Sequence, residues 1–279
     1  MSDGYDLDSG PDPATFAAGH PEPDIDEEID DPVYAVGVGP GNQEFLTPRG
    51  ERAIREADVV VGFTTVVEFV ADLTDADLLT CGYKDEAAAL ETFGERVAAG
   101  ESGTAVAMGD PNHSGYQFVG KVQNAVEQSS TSPGSHTRRD AADRAISERP
   151  IRIVPGISSL QVAASRARVP MEDAEFVTLH KSGDLEGDVD RLARAVVEDD
   201  RHLLALPRPY DRMPGDLAAL LLERGADPKL EALVCEKLTH EDERIHRFTL
   251  AELSDHAGGD GREDTPFSDL VVLAVRQPV

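Results

Sequence analysis

The sequence predicts an α/β protein, and three observations predict it. Val33-Tyr-Ala-Val-Gly-Val-Gly-Pro-Gly41 reads as a buried strand that runs into a loop of three glycines around a proline. Strand-like apolar runs and helical-period segments then alternate through residue 154, the order of a mainly parallel sheet with helices on both faces. After residue 175 the strand-like runs are joined by short connections, which predicts antiparallel pairing among the last strands.

The elements follow in chain order. Strand 33–38 ends at Gly37, Gly39 and Gly41, where a ligand can lie against bare backbone. Thr47 caps a helix over 48–57, with Pro48 at the first helical position, where its missing N–H costs nothing. Val59-Val60-Val61 forms a strand over 58–61, closed by Gly62 and followed by a helix over 63–71. A strand over 77–81 and a helix over 85–99 come next. Strand 103–108 leads into Gly109-Asp110-Pro111 and a helix over 115–127, and strand 151–154 leads into Pro155-Gly156 and a helix over 157–167. Strands at 175–179 and 202–206 flank a helix over 187–198. Leu217, Leu220, Leu221 and Leu222 recur at helical spacing in a helix over 212–224, with Gly225 as its C-cap. Strands at 230–235, 245–250 and 269–276 complete the order.

Three segments lack this patterning. Residues 1–31 are rich in Asp, Glu, Pro and Gly and are expected to be a disordered acidic tail. Residues 128–150 contain Ser-Ser-Thr-Ser-Pro-Gly-Ser and read as a flexible surface insertion, and 258–266 is a Gly/Asp loop. The expected domains are therefore an N-terminal α/β domain over 32–156 and a C-terminal one over 157–279.

Composition excludes several function classes. The chain of 279 residues carries 54 acidic and 26 basic residues, a net charge of −28, and only five of the basic residues are lysine. That surplus argues against nucleic acid and against an anionic membrane surface, both of which select a basic footprint. An acid-rich, lysine-poor surface suits concentrated salt, so a halophilic source is expected. The chain opens on acidic residues rather than a basic-then-apolar leader, and no apolar run is long enough to span a bilayer, so a cytoplasmic protein is expected. Cys81 and Cys235 give neither a disulfide framework nor a metal motif. The eight histidines show no HExxH or comparable ligand spacing, so no metal is expected. A dinucleotide fingerprint fails because Asn42 stands where its third glycine belongs, and neither a P-loop nor a Gly-x-Ser-x-Gly elbow occurs.

The glycine-bearing turns are the remaining candidates for chemistry. Asp110 can accept hydrogen bonds from a ribose or an amino group, and it can equally be a turn residue. Ser158 and Ser159 lie at a helix start, where either can be an N-cap. Taken in order, Val-Gly-Val-Gly-Pro-Gly (36–41), Leu46-Thr47, Glu56-Ala-Asp-Val-Val-Val-Gly62, Gly109-Asp110-Pro111 and Val154-Pro-Gly-Ile-Ser-Ser159 resemble the tetrapyrrole (corrin/porphyrin) methylase family, over nearly all of 32–279. Pro155 to Arg166, Pro170-Met-Glu-Asp173, Val177-Thr-Leu-His180, Glu236-Lys-Leu238 and Asp242-Glu-Arg-Ile245 are similar to its cobalt-precorrin-7 C5-methyltransferase branch.

The resemblance implies two α/β domains with S-adenosylmethionine (SAM) in the cleft between them, a homodimer, and methyl transfer to a ring carbon of a cobalt-precorrin. It implies cofactor contacts at Gly37, Gly39, Pro40, Gly41, Gly109, Asp110, His113, Ser158, Ser159 and Leu206. Relatives often carry a fused decarboxylating domain, and the length of this chain favours the stand-alone C5 enzyme. Where the family has Gly-Phe-Tyr-Gly and His-Gly-Arg, this chain has Asn112-His-Ser-Gly115 and His180-Lys-Ser182. His180 and Glu236 are the candidate general bases. Arg208 and Arg212 are the candidates to hold the carboxylates of the substrate, and Arg166 and Arg168 end a helix expected near the ligand edge. Two alternatives stay open: a family methylase acting on another precorrin or a diphthine-type substrate, and a non-catalytic binder of SAM or a tetrapyrrole.

Overall fold

The computed structural model describes residues 32–82, 84–131, 151–181, 184–209, 211–258 and 265–278. The expected acidic tail, most of the expected insertion and part of the Gly/Asp loop lie outside these residues. Two compact units divide the chain: residues 1–39 with 43–157, and residues 158–279 with Pro40–Asn42.

The described part of the first unit is a five-stranded, wholly parallel sheet. Its strands are β1 (Val33–Gly37), β2 (Val59–Phe63), β3 (Asp77–Cys81), β4 (Gly103–Ala107) and β5 (Ile151–Val154), in the order β3-β2-β4-β1-β5. Helices α1 (Pro48–Arg55), α2 (Thr64–Val70), α3 (Glu86–Ala98) and α4 (Tyr116–Thr131) connect them. The central strands are apolar on both faces because both faces are covered, as parallel sheets require. Val36, Val60 and Val106 pack on one side with Ile54 and Val67, and Val33, Val59, Val61 and Ala105 pack on the other with Leu90, Phe93 and Val122. Thr47 caps α1 as the sequence predicts, its hydroxyl accepting the Gly50 N–H at 3.1 Å.

The second unit holds a mixed sheet in the order β6-β7-β10-β8-β9. The strands are β6 (Ala174–Thr178), β7 (His202–Leu206), β8 (Glu231–Glu236), β9 (Arg244–Thr249) and β10 (Val271–Arg276). β6 and β7 are parallel, while β10 runs antiparallel to both β7 and β8, and β9 antiparallel to β8, as the short connections predicted. Helices α5 (Ser159–Ala167), α6 (Glu186–Val197), α7 (Pro214–Glu223) and α8 (Leu250–Ser254) complete the unit. Its core joins Leu192, Leu203, Leu217, Leu221, Leu250 and Leu273. Gly225 closes α7 at φ +97°.

Three local features differ from the sequence reading. The helix placed at 157 begins at Ser159, because Ser158 is the extended N-cap. A π-helical turn over Pro111–Gly115 precedes α4. The short helix α8 follows β9 where only a strand end was expected, secured by a capping box between Thr249 and Glu252. Both cysteines are buried and free, one in β3 and one in β8. Among the described residues, no group of His, Cys, Asp and Glu is arranged to hold a metal ion, and no helix is long and apolar enough to cross a membrane.

Candidate functional site

In the first unit the ends of β1, β4 and β5 are drawn together by their glycines. A Cβ on Gly37 would lie 2.5 Å from the Gly109 carbonyl oxygen and 2.7 Å from the Gly156 nitrogen, and one on Gly156 would lie 2.1 Å from the Gly109 oxygen. Contacts this short leave no room for any side chain. The turns are also hydrogen-bonded to each other: Gly109 N–H donates to the Gly39 carbonyl at 2.8 Å, Gly39 N–H to the Gly109 carbonyl at 3.2 Å, and Val38 N–H to the Ala107 carbonyl at 2.9 Å. Gly39, at φ +88°, takes a conformation that a side chain would strain. Gly37, Gly39, Gly109 and Asp110 therefore share one carboxyl edge of the sheet, and that edge presents main chain.

Asp110 is buried beside this edge and begins the π-helical turn. Its Oδ1 accepts from the Asn112 backbone N–H at 2.9 Å and the Asn112 side-chain amide at 2.8 Å, leaving Oδ2 uncommitted. The His113 N–H donates to the Asp110 carbonyl at 3.0 Å, which places His113 on the same turn. Asp110 thus serves the turn with one oxygen, and among the described residues its other oxygen makes no hydrogen bond.

The second unit carries the other predicted residues. Ser158 is spent on capping: its hydroxyl accepts the Leu160 N–H at 3.2 Å, and its own N–H donates to Gln161 Oε1 at 2.8 Å. Ser159 is the first residue of α5. Leu206 ends β7, and its carbonyl accepts the Leu179 N–H at 2.9 Å, so His180 follows at the neighbouring strand end. Pro40 and Gly41 belong to this unit, and the His240 imidazole fills the place of the missing Gly41 Cβ, with Nε2 2.0 Å from that position.

Residue types did not reveal the turn that carries His240. Lys237 (φ +48°) and Thr239 (φ +71°) are both left-handed without being glycine, and the conformation is unusual for a β-branched residue. Tethers hold it: Lys237 N–H donates to the Leu270 carbonyl at 2.7 Å, Thr239 N–H to Glu243 Oε2 at 2.7 Å, and Arg166 Nε to Glu243 Oε1 at 2.6 Å. The Arg166 guanidinium holds the Glu243 carboxyl below its usual pKa.

Glu236, at the end of β8, is 8% exposed. It accepts the Ser268 N–H at 2.6 Å and meets His246 Nε2 at 2.7 Å. Arg208 is engaged by Asp211, its Nε donating to Oδ1 at 2.8 Å, and the Arg212 N–H donates to the Arg208 carbonyl at 3.2 Å. Arg212 Nε is buried without a hydrogen-bond partner. Arg168 is not near the expected ligand edge: it follows the C-terminal end of α5, towards the amino ends of β6 and β7.

Burial pushes the His180 pKa down, against a smaller pull upward from Asp269. Its imidazole is therefore neutral at pH 7 and free to accept a proton. The unfolded chain binds that proton at about pH 6.5, the ordinary histidine value, while the folded chain resists it. Stability is complete above pH 6.5 and falls as the pH drops towards the lower folded value. His180→Gln should lose less stability than the parent between pH 7.5 and 5.5, as read from urea midpoints. An equal loss in both proteins would show that His180 is not a source of the acid sensitivity.

Comparison with known proteins adds the following. Residues 32–127 and 131–254 match the model of the Tetrapyrrole (Corrin/Porphyrin) Methylases. The chain is 27% identical over 233 residues to the "Probable cobalt-precorrin-7 C(5)-methyltransferase" of Methanocaldococcus jannaschii, covering 80% of this chain and 91% of the relative. In fold it resembles the crystal structure of the methyltransferase CobJ, with TM-score 0.66 and 22% identity, covering 89% of this chain and 95% of that one. It also resembles the uroporphyrin-III C-methyltransferase of Thermus thermophilus complexed with S-adenosyl homocysteine, with TM-score 0.58 and 21% identity over 88% of this chain and 92% of that one.

Proposed function

The chain belongs to the tetrapyrrole (corrin/porphyrin) methylase family, and from that premise we propose that it is a SAM-dependent C-methyltransferase that methylates C5 of cobalt-precorrin-7. The observation that carries the reading is the side-chain-free edge at Gly37, Gly39 and Gly109, with the uncommitted Oδ2 of Asp110 beside it. Glycine at these positions lets the turns pack main chain against main chain, and a carboxylate oxygen beside them suits a ribose hydroxyl. These residues fit SAM, which when bound supplies an electrophilic methyl group on a sulfonium. The C5 assignment follows the relative that covers most of both chains.

The work left to the protein is to align a ring carbon with that methyl group and to exclude water. His180 is neutral at pH 7 and is our first candidate to remove a proton from the substrate. Glu236 is already bonded to His246 and the Ser268 N–H, so it could act as a base only by giving up those partners. The carboxylates of the substrate need positive charge in a chain of net charge −28. Asp211 engages both predicted arginines, Arg208 through its carboxylate and Arg212 through its carbonyl at 2.6 Å, and Arg212 is the more exposed of the two. A homodimer belongs to the same reading.

The test is methyl transfer from labelled SAM to a panel of cobalt-precorrin-7, a uroporphyrin-III-type tetrapyrrole and a diphthine precursor, with the product resolved by NMR. The expected product is methylated at C5 of cobalt-precorrin-7. Methylation of another carbon or another substrate would replace that assignment within the family. SAM binding with no transfer to any acceptor would leave a binder.

A further inference from the structure

Three parts of the second unit meet at the Lys237–His240 turn: helix α5, the connection between β8 and β9, and Pro40–Asn42. We propose that Glu243 is a positioning residue for the cofactor. By holding this turn it keeps the His240 imidazole against Gly41, and so fixes the part of the glycine loop that belongs to the second unit. The proposal rests on the reading of that loop as a SAM contact.

Glu243 supplies the side-chain hold on the turn. Its Oε2 accepts the Thr239 N–H at 2.7 Å. Its Oε1 accepts Arg166 Nε at 2.6 Å, and Arg166 Nη2 reaches Oε2 at 3.3 Å, so one guanidinium grips both carboxylate oxygens. Arg166 belongs to α5, whose Leu160, Ala163, Ala164 and Ala167 are buried, so the grip is anchored to a packed element. The other bonds of the turn are main chain. Lys237 N–H donates to the Leu270 carbonyl at 2.7 Å, His240 N–H to the Lys237 carbonyl at 3.0 Å, and Glu243 N–H to the His240 carbonyl at 3.1 Å. Thr239 lies at φ +71°, an outlier for a β-branched residue, and the Glu243 carboxylate holds the N–H of that same residue.

His240 is what the turn delivers. Its Nε2, Cδ2 and Cε1 lie 2.0, 2.5 and 2.6 Å from the place of a Gly41 Cβ, so the tip of the ring abuts the Gly41 main chain. The imidazole makes no hydrogen bond to another described residue. Its place is therefore set by the backbone of the turn and by packing, not by bonds of its own. Releasing the turn would let ring and loop separate, and a loop that must be ordered again on binding holds its ligand less tightly.

The experiment is calorimetry of the full chain with S-adenosyl homocysteine. The proteins are the parent, Glu243→Ala, Glu243→Gln, His240→Ala and each Glu243 change combined with His240→Ala, at a temperature where circular dichroism shows them folded. Glu243→Ala should weaken binding about tenfold. Glu243→Gln should weaken it less, because its amide oxygen can still accept the Thr239 N–H. In the His240→Ala background the loss should shrink to about twofold or less, because the residue through which Glu243 acts is gone. A tether with a structural role alone would lower the Tm and leave the affinity of the folded protein unchanged. Should Glu243→Ala not fold, Glu243→Gln decides in the same two backgrounds. Unchanged affinity in the folded Glu243 variants would overturn the proposal, and so would an equal loss with and without His240. Either result leaves binding by the parent intact, whereas a parent that does not bind would overturn the SAM reading and this proposal with it.

Discussion

Gly156→Ala is expected to cost at least about 3 kcal/mol, beyond ordinary overpacking, because the new methyl group has no flexible neighbour to displace. It would sit 2.1 Å from the Gly109 carbonyl oxygen and 2.6 Å from that of Gly37, and both atoms are main chain at the ends of paired strands. Relief would require β5 to move away from β1, breaking the packing of the edge assigned to the cofactor. SAM affinity should fall with stability. Gly187→Ala is the control, since nothing lies within 4 Å of the added Cβ, and alanine in α6 should gain about 0.5–1 kcal/mol. Urea midpoints measure both. A Gly156→Ala protein within 1 kcal/mol of the parent would mean that these strand ends yield more readily than their packing implies.

Glu236→Ala is expected to cost about 2–3 kcal/mol, independent of any part in proton transfer. The carboxylate holds the Ser268 N–H at 2.6 Å and His246 at 2.7 Å, and removing it leaves both without that acceptor. The half-exposed side of His246 can turn to water, which keeps the cost below that of a wholly enclosed pair. His246 also packs against Phe248 and Phe267, so the loss extends into that aromatic cluster. Thermal unfolding and turnover should be measured together. Parental stability with lost turnover would make Glu236 a chemical group rather than a clamp.

The helix signals and the strands were legible because they are local. Thr47-Pro48 reads as a helix start from two residue types, and Val59-Val60-Val61 reads as a strand from three. The capping box at Thr249 and Glu252 was equally present in the residues, yet the five-residue helix α8 was passed over because one turn shows no apolar period. Ser158 kept its two readings open until its hydroxyl was seen on the Leu160 N–H. The Lys237–His240 turn left no trace in composition, since its left-handed residues are a lysine and a threonine.

Residue order alone determined the alternation of strands and helices, the glycine-bearing turns and the family, because each rests on the identity and spacing of neighbours along the chain. Tertiary structure alone decided which atoms those turns spend on one another. It zipped Gly39 to Gly109, committed Glu236 to His246 and Ser268, tied Arg208 to Asp211, and laid His240 over Gly41. The physical reason is that, the local Arg208–Asp211 pair apart, each of these contacts joins residues well separated along the chain. Those contacts exist only once the sheets have formed.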